Sequence, residues 1–305
     1  MDVELIRVRA LRFADGSPVR AASAVARFHG GFLVAQDDAT HAAWLRGDRA
    51  EPVRLLPPEQ GRDTFDEASG TKHLKPDLEA AFEVTAGDVP GVLLLGSGSS
   101  PQRTRWSHVH HGSTGTQHLV ADMSALYAVV SRVLDVEPDL LNMEGACVLG
   151  ETLRWFHRGM PSAGWPSSSV DLPLATVVEA ALGRAGPEDV PVVGTLSYDL
   201  GEVDGVGLAI TDAVPLPDGS VLVSAAAEDS PNPRDDGPVV GSALALVRDG
   251  VVESVAELPR VGGRVAKVEG LTLLDLGHDE AAVLAVVDAD DAESPSVALE
   301  LRVRR

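Results

Sequence analysis

The sequence predicts an all-β chain folded as a single β-propeller of five blades over residues 1–305, closed by its N-terminal strand. Three observations predict it: a five-fold repeat of short apolar runs, a composition of small and β-branched aliphatics punctuated by turn residues, and a last repeat one strand short. The repeats start at Ser23-Ala24-Val25, Glu79-Ala80-Ala81, Glu144-Gly145-Ala146, Asp212-Ala213-Val214 and Glu269-Gly270-Leu271. Roughly 55 to 70 residues separate them, the interval of one four-stranded sheet per repeat, with the sheets set radially. Hydrophobic residues make up 44% of the chain and aromatics only 4%, so Val, Leu and Ala fill the interior while 30 Gly and 20 Pro supply turns.

In the first unit, residues 22–28 and 32–38 flank a Gly30-Gly31 turn, with further strands at 42–46 and 52–56. The second runs from Asp77-Leu78-Glu79 through 92–100 to strands at 105–111 and 116–121. Behind Asp122, the spacing of Met123, Leu126, Tyr127, Val130, Val133 and Leu134 predicts a short helical insertion in blade 2. The third unit opens at Asn142-Met143-Glu144, continues at 152–158, and carries a second helical insertion marked by Leu174, Val177, Val178, Ala181 and Leu182. Residues 207–214 and 220–226 form the clearest hairpin, leading into a polar loop at 228–237. The fifth unit has strands at 267–273, 281–287 and 296–303, with an acidic loop at 288–291. Residues 3–10 supply its missing strand and remove the free edge. Five units are counted, and residues 112–140 leave room for a sixth, irregular blade.

A net charge of −21 and a pI near 4.7 argue against nucleic acid, whose recognition requires a positive field. Cys147 is the single cysteine, so neither an intrachain disulfide nor a Cys-rich zinc site can form; its apolar setting reads as a buried thiol. No N-terminal leader pattern and no run of ~18 apolar residues occurs, so no membrane partner and a cytoplasmic location are expected. Gly96-Ser97-Gly98-Ser99-Ser100 lacks a following Gly-Lys-Ser/Thr, and no Gly-x-Ser-x-Gly elbow is present. His108-Val109-His110 puts two imidazoles on one side of a strand, read here as a solvated strand.

First strands of propeller blades line the central channel, so the repeat starts should converge. Glu79, Glu144, Asp212 and Glu269 then form a carboxylate ring, with Ser23 at the fifth position. Such a ring requires cations or shared protons, and an all-oxygen donor set suits Ca²⁺, or Mg²⁺, better than zinc. Asn142 and Lys267 precede their glutamates by two residues and share their side of the strand. Loops beyond the second strands bring Asp38, His157, Arg158, Glu228 and Asp288 to the same end. His157 or Glu228 is the expected acid/base; Ser23, Asp38, Arg158, Lys267 and Asp288 are the expected substrate contacts.

The Glu-Gly and Glu-Ala starts, the second strands ending in acidic residues, and the Ala226-Ala227-Glu228-Asp229-Ser230-Pro231-Asn232 loop resemble the esterase-like phytase propellers, and more distantly the calcium-dependent lactonase propellers. The resemblance implies a channel metal that polarises a phosphoryl or carbonyl oxygen and positions water. The expectation is therefore a metal-dependent hydrolase of ester, lactone or phosphoester bonds acting on a small molecule. Two alternatives stay open: a non-catalytic binding propeller with a structural cation, and a metal-dependent lyase or isomerase. The sequence is silent on oligomeric state.

Overall fold

The computed structural model describes residues 1–230, 237–288 and 294–305. Its first strand, β1 (Asp2–Ala10), lies apart from its sequence neighbours. Blade 1 follows as β2 (Ala22–Phe28), β3 (Gly31–Gln36), β4 (His41–Arg46) and β5 (Arg49–Arg54). Blade 2 is β6 (Leu78–Ala86), β7 (Val89–Gly96), β8 (Arg105–Gly112) and β9 (Gly115–Asp122); α1 (Ser124–Leu134) then leads onward. Blade 3 is β10 (Met143–Leu149), β11 (Thr152–His157), β12 (Ser167–Pro173) and, after α2 (Leu174–Ala181), β13 (Gly194–Tyr198). A two-residue β14 (Glu202–Val203) precedes β15 (Val206–Pro215), β16 (Val221–Glu228), β17 (Val239–Arg248) and β18 (Val251–Glu257) in blade 4. Blade 5 is β19 (Val268–Leu276), β20 (Glu280–Val287) and β21 (Val297–Arg304), completed by β1 in the order β1-β21-β20-β19.

The architecture is thus a five-bladed propeller, with antiparallel pairing inside each sheet. The N-terminal strand closes the ring, Asp2 facing Arg304 and Ala10 facing Val297. The segment 112–140 forms the end of β8, β9, α1 and a linker, and contains no sixth sheet. No helix among the described residues is long and apolar enough to cross a membrane.

Five separate apolar clusters lie between successive blades, because a radial sheet buries both faces. That is why the strands read as nearly continuous apolar runs. The cluster between blades 2 and 3 also takes in both helices. There Trp106 packs edge-on to Trp155 at 5.3 Å, and its Nε1 donates to the Tyr127 hydroxyl at 2.9 Å. Asp122 Oδ1 accepts the Ser124 amide at 2.9 Å, so the acidic residue expected to start α1 does satisfy one of its free donors. Cys147 is buried between blades 3 and 4. His108 departs from the solvated-strand expectation: it is buried and stacked on His110 at 5.5 Å, under α2 and its neighbouring turns.

The inner strands β2, β6, β10, β15 and β19 touch one another in sequence around the axis. Each carries an extra residue relative to its partner strand, and β19 has a second one at Leu274. The first bulged residues of the five strands are Ser23, Glu79, Gly145, Thr211 and Glu269. A bulge bends and twists a strand and re-aims its side chains, which suits five strands crowding one axis. The alignment read from sequence is therefore correct in three blades and shifted by one residue in two. Glu144 precedes its bulge and Asp212 follows its own.

Crowding sets residue size at these points. Gly145 has φ +36°, and a Cβ there would lie 2.7 Å from Cα of Asp212 in the next blade. Gly145→Ala should therefore lower the unfolding free energy by about 2 kcal/mol or more, read from the urea midpoint. An unchanged midpoint would show that the inner strands can separate without penalty.

Candidate active site at the channel mouth

Two of the bulged residues spend their hydroxyls on the neighbouring blade. Ser23 Oγ donates to the Leu78 carbonyl at 2.5 Å and Thr211 Oγ1 to the Val268 carbonyl at 2.6 Å. Each acceptor immediately precedes the next blade's bulged glutamate. Ser23, expected to contact substrate, instead docks blade 1 on blade 2. Asp212 also departs from its expected place in the ring. Its Oδ2 accepts the Leu271 amide of blade 5 at 2.6 Å, and the side chain is buried. Burial raises its carboxyl well above the ordinary range, opposed by the amides of Leu271, Ala213 and Ala146.

Glu79, Glu144 and Glu269 do converge, at the end where the inner strands begin. Blade-to-blade connections and the loops after the second strands meet them there. Lys75 Nζ lies 2.5 Å from Asp37 Oδ2 and 2.6 Å from Asp77 Oδ1, and Arg103 reaches Asp77 Oδ2 at 2.9 Å. Ser97 also donates to Asp77. Across the mouth, Arg158 pairs with Glu144 at 3.3 Å and Glu228 at 2.7 Å, while Lys267 pairs with Glu228 at 3.0 Å and Glu269 at 2.9 Å. Asn142 Nδ2 donates to Glu144 Oε1 at 2.7 Å. The mouth thus gathers the carboxylates of Asp37, Asp77, Glu79, Glu144, Glu228 and Glu269 around the cations of Lys75, Arg103, Arg158 and Lys267.

These carboxylates are not equivalent. Burial would raise Glu228, yet Arg158 and Lys267 outweigh it and hold the group at about 2. Its Oε1 is further fixed by Ser230 Oγ and the Gly237 amide, at 2.8 and 2.9 Å. Asp77 is likewise held at about 2 against its burial by Lys75 and Arg103. Glu144 goes the other way: burial lifts it to about 7, with Arg158 acting against the rise. Its Oε2 is buried and has no hydrogen-bond partner. Glu79 makes no hydrogen bond or ion pair with any described residue, and burial followed by the charges of Asp77 and Asp37 raises it well above the carboxylate range.

The remaining expected residues fall around this cluster. Asp38 pairs with Arg20 at 2.9 Å on its outer side, raised to about 6 by burial and then by Asp37. Asp288 follows β20 directly, at the corresponding end of blade 5. The loop residues 289–293, with the acidic Asp290 and Asp291, lie outside the described residues, as do 231–236 of the polar loop after Glu228. His157 turns away from the mouth. Its Nε2 faces the Leu140 carbonyl at 3.4 Å and burial lowers it to about 4, so the strand's alternation sends His157 and Arg158 to opposite sides. That removes the imidazole from the acid/base role expected of it.

As a calcium cradle, the expected set of four carboxylates does not fit. Asp212 is clipped to blade 5, and Glu144 and Glu269 are already bonded to protein cations. Asp37, Asp77 and Glu79 do bring oxygens within 4.8 Å of one another, but the Lys75 ammonium sits on two of the three. Lys75, Asp77 and Arg103 were not singled out from sequence. The usable signal was alternation: Lys75, Asp77 and Glu79 are spaced by two, like Asn142–Glu144 and Lys267–Glu269. A groove of about 1290 Å³ lies at the opposite end of the channel, among the turns at Gly30, Gly87 and Gly150. It contains no comparable cluster of opposed titratable groups, so the mouth is the better candidate.

The chain belongs to a family of unknown function (DUF6910), whose model matches residues 71–292. No curated protein matches it in sequence. Among solved structures it is similar to Myxococcus xanthus glutaminyl cyclase, at 13% identity and TM-score 0.52, over 99% of this chain and 96% of that one. It is also similar to a GH43 endo-arabinanase from Bacillus licheniformis, at 10% identity and TM-score 0.43, over 95% and 96% of the two chains. An α-L-arabinofuranosidase from Podospora anserina matches at 10% identity and TM-score 0.45, over 97% and 95%. At such identities the first likeness shows a shared fold and no more.

The raised Glu144 makes stability depend on pH with a definite sign. A carboxyl whose folded pKa exceeds its unfolded value stabilises fully below the unfolded value, about 4.3, and that contribution is lost as pH rises through about 7. Glu144→Gln should flatten the decline in melting temperature between these limits. An unaltered decline would place its cause elsewhere.

Proposed function

We propose that the channel mouth is the active site of a hydrolase of small esters or lactones, in which Glu144 is the acid/base. The observation that supports this reading is the pair of carboxylates sharing Arg158: Glu228 held ionised at about 2, Glu144 raised to about 7 with one oxygen unpartnered. Environments that push neighbouring carboxyls apart in this way separate a proton-transfer group from a fixed charge. Glu144 as carboxylate takes a proton from water while the water oxygen attacks the carbonyl carbon. Arg158 and Lys267, aimed by the ionised Glu228, face the oxyanion that develops. Collapse breaks the bond to the leaving oxygen, which receives the proton from Glu144. Glu228 is then a positioning residue and not the acid/base expected from sequence.

Among the described residues six carboxylates at the mouth face four cations already paired with them, which disfavours the standing negative charge of a phosphoester more than the transient charge of an ester oxyanion. This favours the ester and lactone members of the expected substrate range. One observation favours a second reading, a binding propeller with a structural calcium or magnesium ion: the close oxygens of Asp37, Asp77 and Glu79, from which the ion would have to displace the Lys75 ammonium. Chelator would then lower the melting temperature and leave no turnover to lose.

On a panel of small esters and lactones, turnover should rise with pH through about 7 as Glu144 ionises. Glu144→Gln should reduce kcat by roughly 10²- to 10⁴-fold without lowering the melting temperature. Undiminished turnover in that variant would reject the assignment.

A further inference from the structure

We infer that the substrate carries a primary ammonium group, bound at the mouth by the Glu79 carboxylate, with the free oxygen of Glu144 left to the attacking water. The inference deepens the reading of the mouth as an ester or lactone hydrolase, and it rests on that reading only for the reacting bond. Two carboxyl groups at the mouth are incompletely partnered among the described residues. Glu144 is 5% exposed, its Oε1 is held by Asn142 and Arg158, and its Oε2 is buried with nothing to accept from. Glu79, the bulged residue of β6, has no hydrogen-bond or ion-pair partner among the described residues; the charges of Asp77, Asp37 and Glu144 act on it, opposed at longer range by Lys75.

Among the described residues, each cation at the mouth already pairs with carboxylates. Lys75 bridges Asp37 and Asp77, Arg103 holds Asp77, and Arg158 and Lys267 hold Glu144, Glu228 and Glu269. What Glu79 lacks, among the described residues, is a donor-only positive group paired with it. An ammonium has three donors and no acceptor, so it suits Glu79 and leaves the free oxygen of Glu144 to the attacking water, whereas a carboxylate or phosphate would add repulsion. Access is available: the side chains of Lys75, Arg103 and Arg158 retain 15%, 17% and 16% exposure, so the cluster opens to solvent. With the ammonium on Glu79, the substrate carbonyl would extend toward Arg158 and Lys267, placing the amine and the scissile group on one short molecule.

The test uses the full chain and matched probes: amino-acid amides with a free amine, differing in side chain, and their N-acetyl counterparts, titrated by calorimetry. Free amines should bind at least about tenfold more tightly than the N-acetyl compounds, the scale of one charge-assisted hydrogen bond. Glu79→Gln, which preserves side-chain shape, should abolish that preference while the protein still melts cooperatively. Equal binding of both probe classes, no binding by any amine, or a preference retained in Glu79→Gln would overturn the inference. So would calcium chloride alone raising the melting temperature in the native chain but not in Glu79→Gln, since the ion would then occupy that carboxylate. Amine binding without ester turnover would sink the hydrolase reading alone. Turnover of esters regardless of an amine would sink this inference alone.

Discussion

Everything in this propeller depends on how closely five inner strands approach one axis. Their backbones are bridged by short side chains: Ser23 to the Leu78 carbonyl, Thr211 to the Val268 carbonyl, and Asp212 to the Leu271 amide. Where no side chain fits, glycine stands. Gly145 lies against Asp212, and a Cβ on Gly270 would lie 2.9 Å from Ala24. Hydrophobic burial between blades supplies the main drive to assemble, but it is non-directional, and the polar links at the axis fix the angle at which blades meet. The bulge in each inner strand is what lets these links form.

The same bulges decide the chemistry. At Glu79 and Glu269 the extra residue is the carboxylate itself, while at Gly145 it is a residue with no side chain, and Glu144 is consequently displaced by one position. Protein cations then complete the mouth unevenly. One side is closed by Lys75 and Arg103, the other by Arg158 and Lys267, and among the described residues Glu79 and Glu144 Oε2 are left without a cation of their own. A ring of carboxylates awaiting a metal, as the repeat alone suggested, becomes a network in which protein cations already pair with most of the carboxylates.

Much of this was legible before any coordinates. Blade number, the inner strands, the closing strand and the end of the channel where charge gathers all follow from short, nearly continuous apolar runs and their turns, which are local properties of the chain. The helix after Asp122 was legible from its spacing, although it lies on the connection to blade 3 and not inside blade 2's sheet. Less legible were Lys75, Asp77 and Arg103, which come from connections that differ in length between blades and obey no common period. His157 and Arg158 were read as one site because they are adjacent. Strand alternation parts them, one toward the Leu140 carbonyl and the other into the mouth.

The sequence by itself determined a closed five-bladed ring with carboxylates near its axis, because side-chain polarity and turn chemistry act over a few residues. Tertiary structure alone decided which carboxylates are spent on backbone, which on cations, and which remain free. Glu-Gly occurs in both blade 3 and blade 5, yet the bulge falls on Gly145 in one and on Glu269 in the other. A one-residue change of register turns a side chain to the other face of its strand, and only the packing of the neighbouring blade selects between the two.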